Sequence, residues 1–148
     1  MQSGVTSIVV ASRGEQKRPS LGLGLGCRIA PDRQRLVVFL LEAQSHELLN
    51  DLRAGRGLGV LFTQAKTTRA LQLKAPSARE VPLAAGDIVL LDRYAESLAD
   101  EWSFQTRAFT LALLSRDGDA LVAFELTPTE AFDQTPGPRA GSPLGAGA

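Results

Sequence analysis

The chain has 148 residues and a mass of 15.7 kDa, which suits one domain that buries about two-thirds of its unfolded surface. Hydrophobic residues make up 44% of the chain and charged residues 22%, a composition typical of a globular protein rather than a disordered one. Sixteen basic side chains balance sixteen acidic ones. This balance argues against partners that are nucleic acids or anionic membrane surfaces.

Cysteine and histidine each occur once, as Cys27 and His46. An internal disulfide and a zinc site built from several Cys and His ligands are therefore excluded, and a reducing, cytoplasmic location is expected. No uncharged apolar run approaches the roughly 20 residues of a membrane-spanning helix, and the first twelve residues lack the pattern of a signal peptide. We predict neither a membrane span nor a secretory signal.

Three β-strands are predicted near the start of the chain. The β-branched run at 7–12 (SIVVAS) and the extended segment at 20–30 form a predicted hairpin. In the second segment leucines alternate with Gly22, Gly24 and Gly26, so one face is apolar and the other is nearly bare. A continuous apolar run, RLVVFLL, follows and has the length of a central strand.

A short helix and two more strands come next. Leucines at helical spacing predict a helix over 45–55 that ends at Gly55. Strands are predicted at 59–63 (GVLFT) and 69–75 (RALQLKA), and in the latter leucines face one side and polar side chains the other.

The second half of the chain is predicted to hold two helices and a sixth strand. Apolar residues at helical intervals favour a helix over 87–102. The stretch at 106–115 is apolar almost all round and is interpreted as a buried helix. A strand is predicted at 120–126 (ALVAFEL), and residues 127–148 are predicted to be irregular.

This order of elements excludes a doubly wound parallel sheet and favours an antiparallel β-barrel with attached helices. We expect one domain over 1–135 and a C-terminal tail rich in Gly, Pro and Ala over 136–148. Two interpretations remain for the segment 132–141. Either it lies across the barrel beside a ligand crevice with Phe132 as its anchor, or it belongs to a loose tail.

Three stretches, RPSLGLGLGCRI, RLVVFLLEAQSHELLNDLRAGRGLGVLFTQ and TTRALQLKA, resemble the pyridoxamine 5'-phosphate oxidase-like family of FMN-binding split barrels. A further stretch, AFDQTPGPRAG, is similar to the C-terminal signature of a subgroup with unassigned substrate. The resemblance implies a mainly β fold with attached helices, a six-stranded antiparallel split barrel. It also implies a homodimer with two FMN molecules at its interface, each phosphate held by the second strand and the loop before the first helix.

The chain departs from this family at the positions that hold the phosphate. Gly22 and Cys27 stand where the oxidases have Arg and Lys, and His46 and Glu47 stand where an Arg-Lys pair opens the helix. Without these cations the phosphate depends on backbone amides and the helix N-terminus. We therefore predict weak FMN binding, roughly micromolar or looser.

Two groups of candidate cofactor-binding residues lie early in the chain. The bare face at Gly22 and Gly24 lets a ring or a phosphate approach the backbone, or it merely accommodates barrel curvature or a neighbouring helix. Gln44, Ser45 and His46 lie at the start of the predicted helix, where they take an anion or simply cap the helix.

A third candidate group lies on the strand that begins at Arg69. Gln72 and Lys74 share a face and would address a ring carbonyl or a phosphate, or they form an ordinary solvated face. Trp102 and Phe104 stack on a cofactor or pack in the core.

Two functions of different classes fit these observations. The first, which the resemblance implies, is an FMN-dependent oxidoreductase that acts on an unassigned small molecule. Hydrolase chemistry is unsupported, since no catalytic triad can be assembled around a single histidine. The second is a non-enzymatic split-barrel binding or stress-related protein that no longer holds flavin tightly. Handling of haem, for which His46 is the one imidazole, or of a deazaflavin ranks below both.

Overall fold

A computed structural model describes residues 6–102, 107–116 and 120–145. Within these residues the strands are β1 (Ser7–Arg13), β2 (Pro19–Gly24), β3 (Cys27–Ile29), β4 (Leu36–Leu41), β5 (Leu58–Thr63), β6 (Ala70–Ala75), β7 (Ala78–Val81), β8 (Leu121–Leu126), β9 (Glu130–Asp133) and β10 (Ser142–Pro143). The helices are α1 (His46–Arg53), α2 (Asp87–Glu101) and α3 (Arg107–Leu113).

The strands form two antiparallel sheets. The larger has six strands in the order β10-β9-β6-β5-β1-β2, and the smaller has four in the order β3-β4-β8-β7. The sheets meet where β2 passes into β3, because the Leu25 N–H donates to the Phe39 carbonyl (2.9 Å) and the Phe39 N–H donates to the Gly26 carbonyl (3.3 Å). The described strands thus make a mainly β, split-barrel-like fold rather than one closed barrel.

Strand β4 is the centre of the molecule, as its sequence predicts. All six of its residues are buried, and alternate side chains enter two separate cores. One core fills the space between β4, α1 and the inner face of the six-stranded sheet, and the other lies between β4 and α2. A strand buried on both faces needs a continuous apolar run, which explains the LVVFLL sequence.

The expected count of six strands is wrong for the described residues, which hold ten. The predicted segment at 20–30 is interrupted at Leu25 and Gly26, where the chain bends into the second sheet. The bend brings the Gly26 backbone close to α2, since a Cβ atom on Gly26 would lie 2.5 Å from Leu91 Cδ2. Strand β7 was not predicted, and β9 and β10 lie in a region predicted to be irregular. These strands carry little apolar alternation because they are short and mostly half exposed.

Helices α1 and α2 confirm the two predictions made from helical spacing in the sequence. Gly55, at φ 77°, lies just after α1. Helix α3 is also confirmed in its described part, but it is not buried all round. Thr110 and Leu114 are buried while Phe109 is 54% exposed, because a single stripe of the helix packs inward. No described helix is both long and apolar enough to cross a membrane.

An ion pair between the half-buried Arg28 and the buried Asp87 fixes the start of α2. The Asp87 carboxylate, 1% exposed, accepts hydrogen bonds from Arg28 Nε (2.8 Å) and from the Ala84 N–H (2.7 Å). Gly86, at φ 88°, occupies the N-cap position, so Asp87 is the first residue of the helix. The pair ties β3 to α2 and so sets the helix against the second core.

Candidate functional site

The six-stranded sheet has an outer face, which is the face turned away from the cores. Strand register places its side chains in two cross-strand rows. The first row is Leu23, Val9, Leu61, Gln72 and Phe132, and the second is Leu21, Ala11, Gly59, Lys74 and Glu130. All ten residues are at least partly exposed, so they form a continuous accessible surface.

This outer face changes character from one end to the other. The part on β2, β1 and β5 is apolar, and Leu21 there is 64% exposed. The part on β6 and β9 carries the amide of Gln72 and the charges of Lys74 and Glu130. An apolar surface thus adjoins a polar one.

A groove of about 650 Å³ lies where the two parts meet. Its lining includes Gln72 and Lys74 together with Arg13 and Arg56, and Glu130 is the acidic member. The backbone of Gly57 and Gly59 forms another part of its lining. Its size falls within the range of small-molecule sites, and three cations against one carboxylate favour an anionic ligand.

Neighbouring side chains hold the two polar residues of β6 in place. Gln134 Nε2 donates to Gln72 Oε1 (3.0 Å), which leaves Gln72 Nε2 beside Gly59 as a donor. The Lys74 ammonium lies 4.7 Å from the centre of the Phe132 ring, a cation–π distance. Gln72 and Lys74 therefore present one amide donor and one positive charge to the groove.

Arg56 is partly committed to other residues. Its guanidinium lies 3.5 Å from Asp51 Oδ1 and 3.3 Å from Glu15 Oε1, and its buried Nε has no hydrogen-bond partner. Arg13 and Lys74, in contrast, form no ion pair within residues 6–102, 107–116 and 120–145. A phosphate reaching the groove would meet these two unpaired cations and one incompletely bonded guanidinium.

The candidate glycines do not line the groove. A Cβ atom on Gly22 would lie 2.7 Å from Leu48 Cδ2, and one on Gly24 would lie 2.5 Å from Ile8 Cγ2. Both glycines are buried and face inward. Their bare face accommodates helix α1 and the core, which is the second of the two interpretations offered above, and the leucines of β2 face outward instead.

Of the three candidates at the start of α1, Ser45 is buried, whereas Gln44 and His46 are exposed. Ser45 occupies the N-cap position, but its hydroxyl makes no cap bond, is 2% exposed and lies 2.9 Å from the position of a Cβ atom on Gly22. Gln44 and His46 are exposed at the helix start. Ser45 is thus next to Gly22, and none of these three residues lines the groove.

Arg69 lies at the beginning of β6, away from the groove lining. The segment after β9 is docked beside it, because Thr135 Oγ1 accepts the Ala70 N–H (3.1 Å) and the Gln134 N–H donates to the Ala70 carbonyl (2.9 Å). A bond from the Thr135 N–H, with smaller effects from Arg139 and Arg69, holds the pKa of Asp133 below its usual range. The chain therefore lies across the edge of the sheet as far as its last described strand, β10.

Arg13 and Arg56 are groove residues that sequence reasoning did not find. Pairing of β1 with β5 brings their segments together, and Ser12 Oγ strengthens the junction by donating to the Gly57 carbonyl (2.7 Å). The signal lies in the register of two strands far apart in the chain, which composition and spacing do not reveal.

Other candidates have structural surroundings. Trp102 packs against the second core, as one of its two interpretations proposed, and Phe104 lies outside the described residues. Burial raises the pKa of the Cys27 thiol to about 12, although the Arg28 charge lowers it, so the thiol is neutral near pH 7. Within the described residues no three His, Cys, Asp or Glu side chains are grouped as metal ligands would be.

Comparison with solved structures shows the fold. An "F420 Reductase" superposes with a TM-score of 0.53 at 14% identity over 86% of this chain and 90% of that one. HupZ from Group A Streptococcus gives 0.51 at 12% identity over 92% and 90%. A Clostridium acetobutylicum protein related to general stress protein 26, of the pyridoxinephosphate oxidase family, gives 0.50 at 13% identity over 86% and 78%.

The chain therefore has a split-barrel-like fold, as expected from the resemblance of its sequence to that family. No family model matches the sequence, and the comparison with curated proteins found no match. At these identities the likeness extends to the fold alone.

Proposed function

We propose that the protein binds FMN in the groove and acts as an FMN-dependent oxidoreductase on an unassigned small molecule. One observation carries this proposal: Gln72, Lys74, Arg13 and Arg56 converge on a single groove of about 650 Å³ at an exposed face of a split-barrel-like fold. The family resemblance supplies the identity of the cofactor.

The cations of the groove suit the phosphate end of FMN. The phosphate carries nearly two negative charges, and Arg13 and Lys74 have no competing ion pair within the described residues. Arg56 adds a third charge, already shared with Asp51 and Glu15. These cations differ in position from the phosphate-binding residues of the family, so we expect the binding to be weaker than in true oxidases.

The remaining lining suits a flat ring. Gly59 has no side chain, so a ring can approach the backbone there, and Leu61 follows on the same face of β5, outside the groove lining. The Gln72 amide, held by Gln134, would be able to donate its N–H to a ring carbonyl of bound FMN. Bound FMN would supply hydride or electron transfer, while the protein orients the ring and excludes water from one side.

The apolar part of the outer face supports a homodimer. Leu21, Leu23, Val9 and Leu61 form an exposed apolar surface directly beside the groove. Contiguous apolar surface of this kind favours association, and a second copy is the occupant that the family resemblance implies. The partner would then form one wall of the cofactor groove.

The competing function is a non-enzymatic binding protein of the same fold. It is favoured by the start of α1, where the Ser45 hydroxyl is turned inward and His46 and Glu47 replace a pair of cations. In that case flavin, if bound, would be held loosely and would not be activated.

Titration of FMN fluorescence tests the cofactor site. We expect Lys74→Met to weaken FMN binding at least fivefold, because it removes a charge without an ion pair in the described residues. The matched control is Lys66→Met, which removes a lysine paired with Glu101 (3.2 Å) outside the groove. Equal affinity in both variants would overturn the placement of FMN.

Redox measurements separate the two functions. Bound FMN is reduced photochemically, and its reoxidation by a quinone is compared with that of free FMN. Faster reoxidation of the bound form supports an oxidoreductase, while unchanged reoxidation supports a binding protein. An absorption spectrum of the purified protein with a Soret band would indicate haem instead.

A further inference from the structure

A second cavity lies on the opposite side of the six-stranded sheet from the groove. It has a volume of about 440 Å³ and opens between the two sheets beside α2. Most of its lining is apolar and consists of Ile8, Ile29, Leu36, Phe62, Leu71, Leu73 and Leu90. Its size is that of a small-molecule site, and the proposed FMN site does not use it.

Strand β6 separates the two sites. Leu71 and Leu73 face this cavity, while Gln72 and Lys74, which alternate with them, face the groove. Because successive side chains of a strand point to opposite faces, a ligand in one site cannot contact the other. The cavity is therefore a separate binding volume.

Helix α2 contributes a stripe of its surface to the cavity. Leu91 and Leu98 are buried in the second core, and Leu90, Arg93, Tyr94 and Ser97 line the cavity, with Leu90 and Tyr94 packing against that core as well. The spacing of these four residues places them on one side of the helix over two turns. The helix thus has one face for the core and a second face for this volume.

The polar groups that line the cavity differ in whether they are free to bind a ligand. The Tyr94 hydroxyl donates to the Thr6 carbonyl (2.8 Å), and the Cys27 thiol is neutral near pH 7. Arg93 is the one charged side chain among the described lining residues, and it forms no ion pair in the described part of the chain. Arg93 and Ser97 are both exposed, so the apolar cavity carries one positive charge without an ion pair at its open side, with the Ser97 hydroxyl one helical turn away.

We propose that this cavity binds a small amphipathic carboxylate, with its alkyl or aryl part among Phe62, Leu71 and Leu73 and its carboxylate on Arg93. The apolar lining favours a ligand without further polar groups, since each buried polar atom would lack a partner there. The guanidinium can take a carboxylate through two parallel hydrogen bonds, and the Ser97 hydroxyl provides a further donor.

Cys27 offers a site-specific probe, because it is the chain's single cysteine and lines the cavity. The rate at which ethylmercury chloride, a reagent that also binds protonated thiols, modifies it is measured at increasing sodium octanoate or 1-octanol. We expect saturating octanoate to slow modification at least fivefold. Addition of FMN should leave this protection unchanged, which keeps the result independent of the flavin site.

Variants at Arg93 test the role of the charge. Arg93→Gln should raise the octanoate concentration for half-protection at least fivefold and leave the value for octanol unchanged, while Arg93→Lys should keep the preference for octanoate. The matched control is Arg18→Gln, on an exposed residue outside the cavity lining. Absence of protection by octanoate, or an equal response of octanoate and octanol to Arg93→Gln, would overturn the proposal.

Discussion

Gly24 is a position where the absence of a side chain determines the packing. A Cβ atom there would lie 2.5 Å from Ile8 Cγ2, and Ile8 is fixed in the buried core. We therefore expect Gly24→Ala to lower the free energy of unfolding by about 1–3 kcal/mol, the usual cost of overpacking. Urea denaturation measures the change.

Gly145→Ala is the control for this prediction. Nothing lies within 4 Å of a Cβ atom at Gly145, so its effect should stay within about 0.5 kcal/mol. Equal changes in the free energy of unfolding for the two substitutions would show that β2 or Ile8 shifts to accommodate a methyl group at position 24, which would contradict the prediction.

The buried thiol of Cys27 makes stability depend on pH. Burial raises its pKa to about 12 in the folded chain, whereas an unfolded chain ionises it near about 8.5. The contribution of the neutral thiol to the free energy of unfolding is thus fully present below about pH 8.5. It is lost as pH rises toward 12, because over this range the thiol ionises in the unfolded state and not in the folded one.

Between pH 7 and pH 9.5 the wild-type protein should lose about 1 kcal/mol more stability than Cys27→Ala. Urea midpoints at the two pH values provide the measurement, and the difference between the proteins removes the effect of groups that titrate in both. Parallel pH profiles would mean that the thiol is not shielded from water.

Elements buried on both faces, or on one regular stripe, were predictable from the sequence. Strand β4 has a continuous apolar run because two cores meet on it, and α1 and α2 show helical spacing because each packs along a stripe. Strands β7 and β9 gave no such signal. They form because β8 and β6 offer free edges to pair with, which is a property of the partner strand.

The orientation of β2 was the part that its own pattern could not decide. Leucines and glycines alternate there as predicted, but the glycines face inward because Leu48 of α1 fills the space above Gly22. For the groove, alternation places Gln72 and Lys74 together, whereas Arg13 and Arg56 join them through the pairing of β1 with β5. Local patterns thus predicted Gln72 and Lys74 but neither of the two arginines.

The segment after β9 should act as a support for the groove. Deleting residues 133–148 removes Gln134, which holds the Gln72 amide, and Thr135, which bonds to Ala70. We expect FMN affinity to fall at least threefold while the circular dichroism of the sheets persists, since one supporting hydrogen bond contributes about 0.5–1.5 kcal/mol.

Deleting residues 145–148 alone is the matched control, because it leaves β10 and Gln134 in place. This shorter deletion should leave FMN affinity unchanged. If the longer deletion also leaves affinity and thermal stability unchanged, the segment has no part in the site.

At the scale of the whole molecule, the two sides of the six-stranded sheet have different roles. The inner side carries a core and a cavity with the single charge of Arg93, and the outer side carries the groove and an apolar surface. A partner subunit on the apolar surface would enclose the groove and leave the cavity beside α2 untouched. Dimerisation and FMN binding should therefore be coupled, while octanoate binding should be independent of both.

We predict that the protein is a homodimer at micromolar concentration and that Leu21→Lys weakens the dimer at least tenfold. Leu21 is the most exposed leucine of the proposed contact, and burying an ammonium there without a partner is costly. Sedimentation should give twice the 15.7 kDa chain mass for the wild type and a monomer for the variant, with a parallel loss of FMN affinity. Ile88→Lys, on the exposed side of α2, is the control and should remain dimeric. A wild-type protein that sediments as a monomer would contradict the dimer, and a monomeric variant that keeps full FMN affinity would separate the groove from the interface.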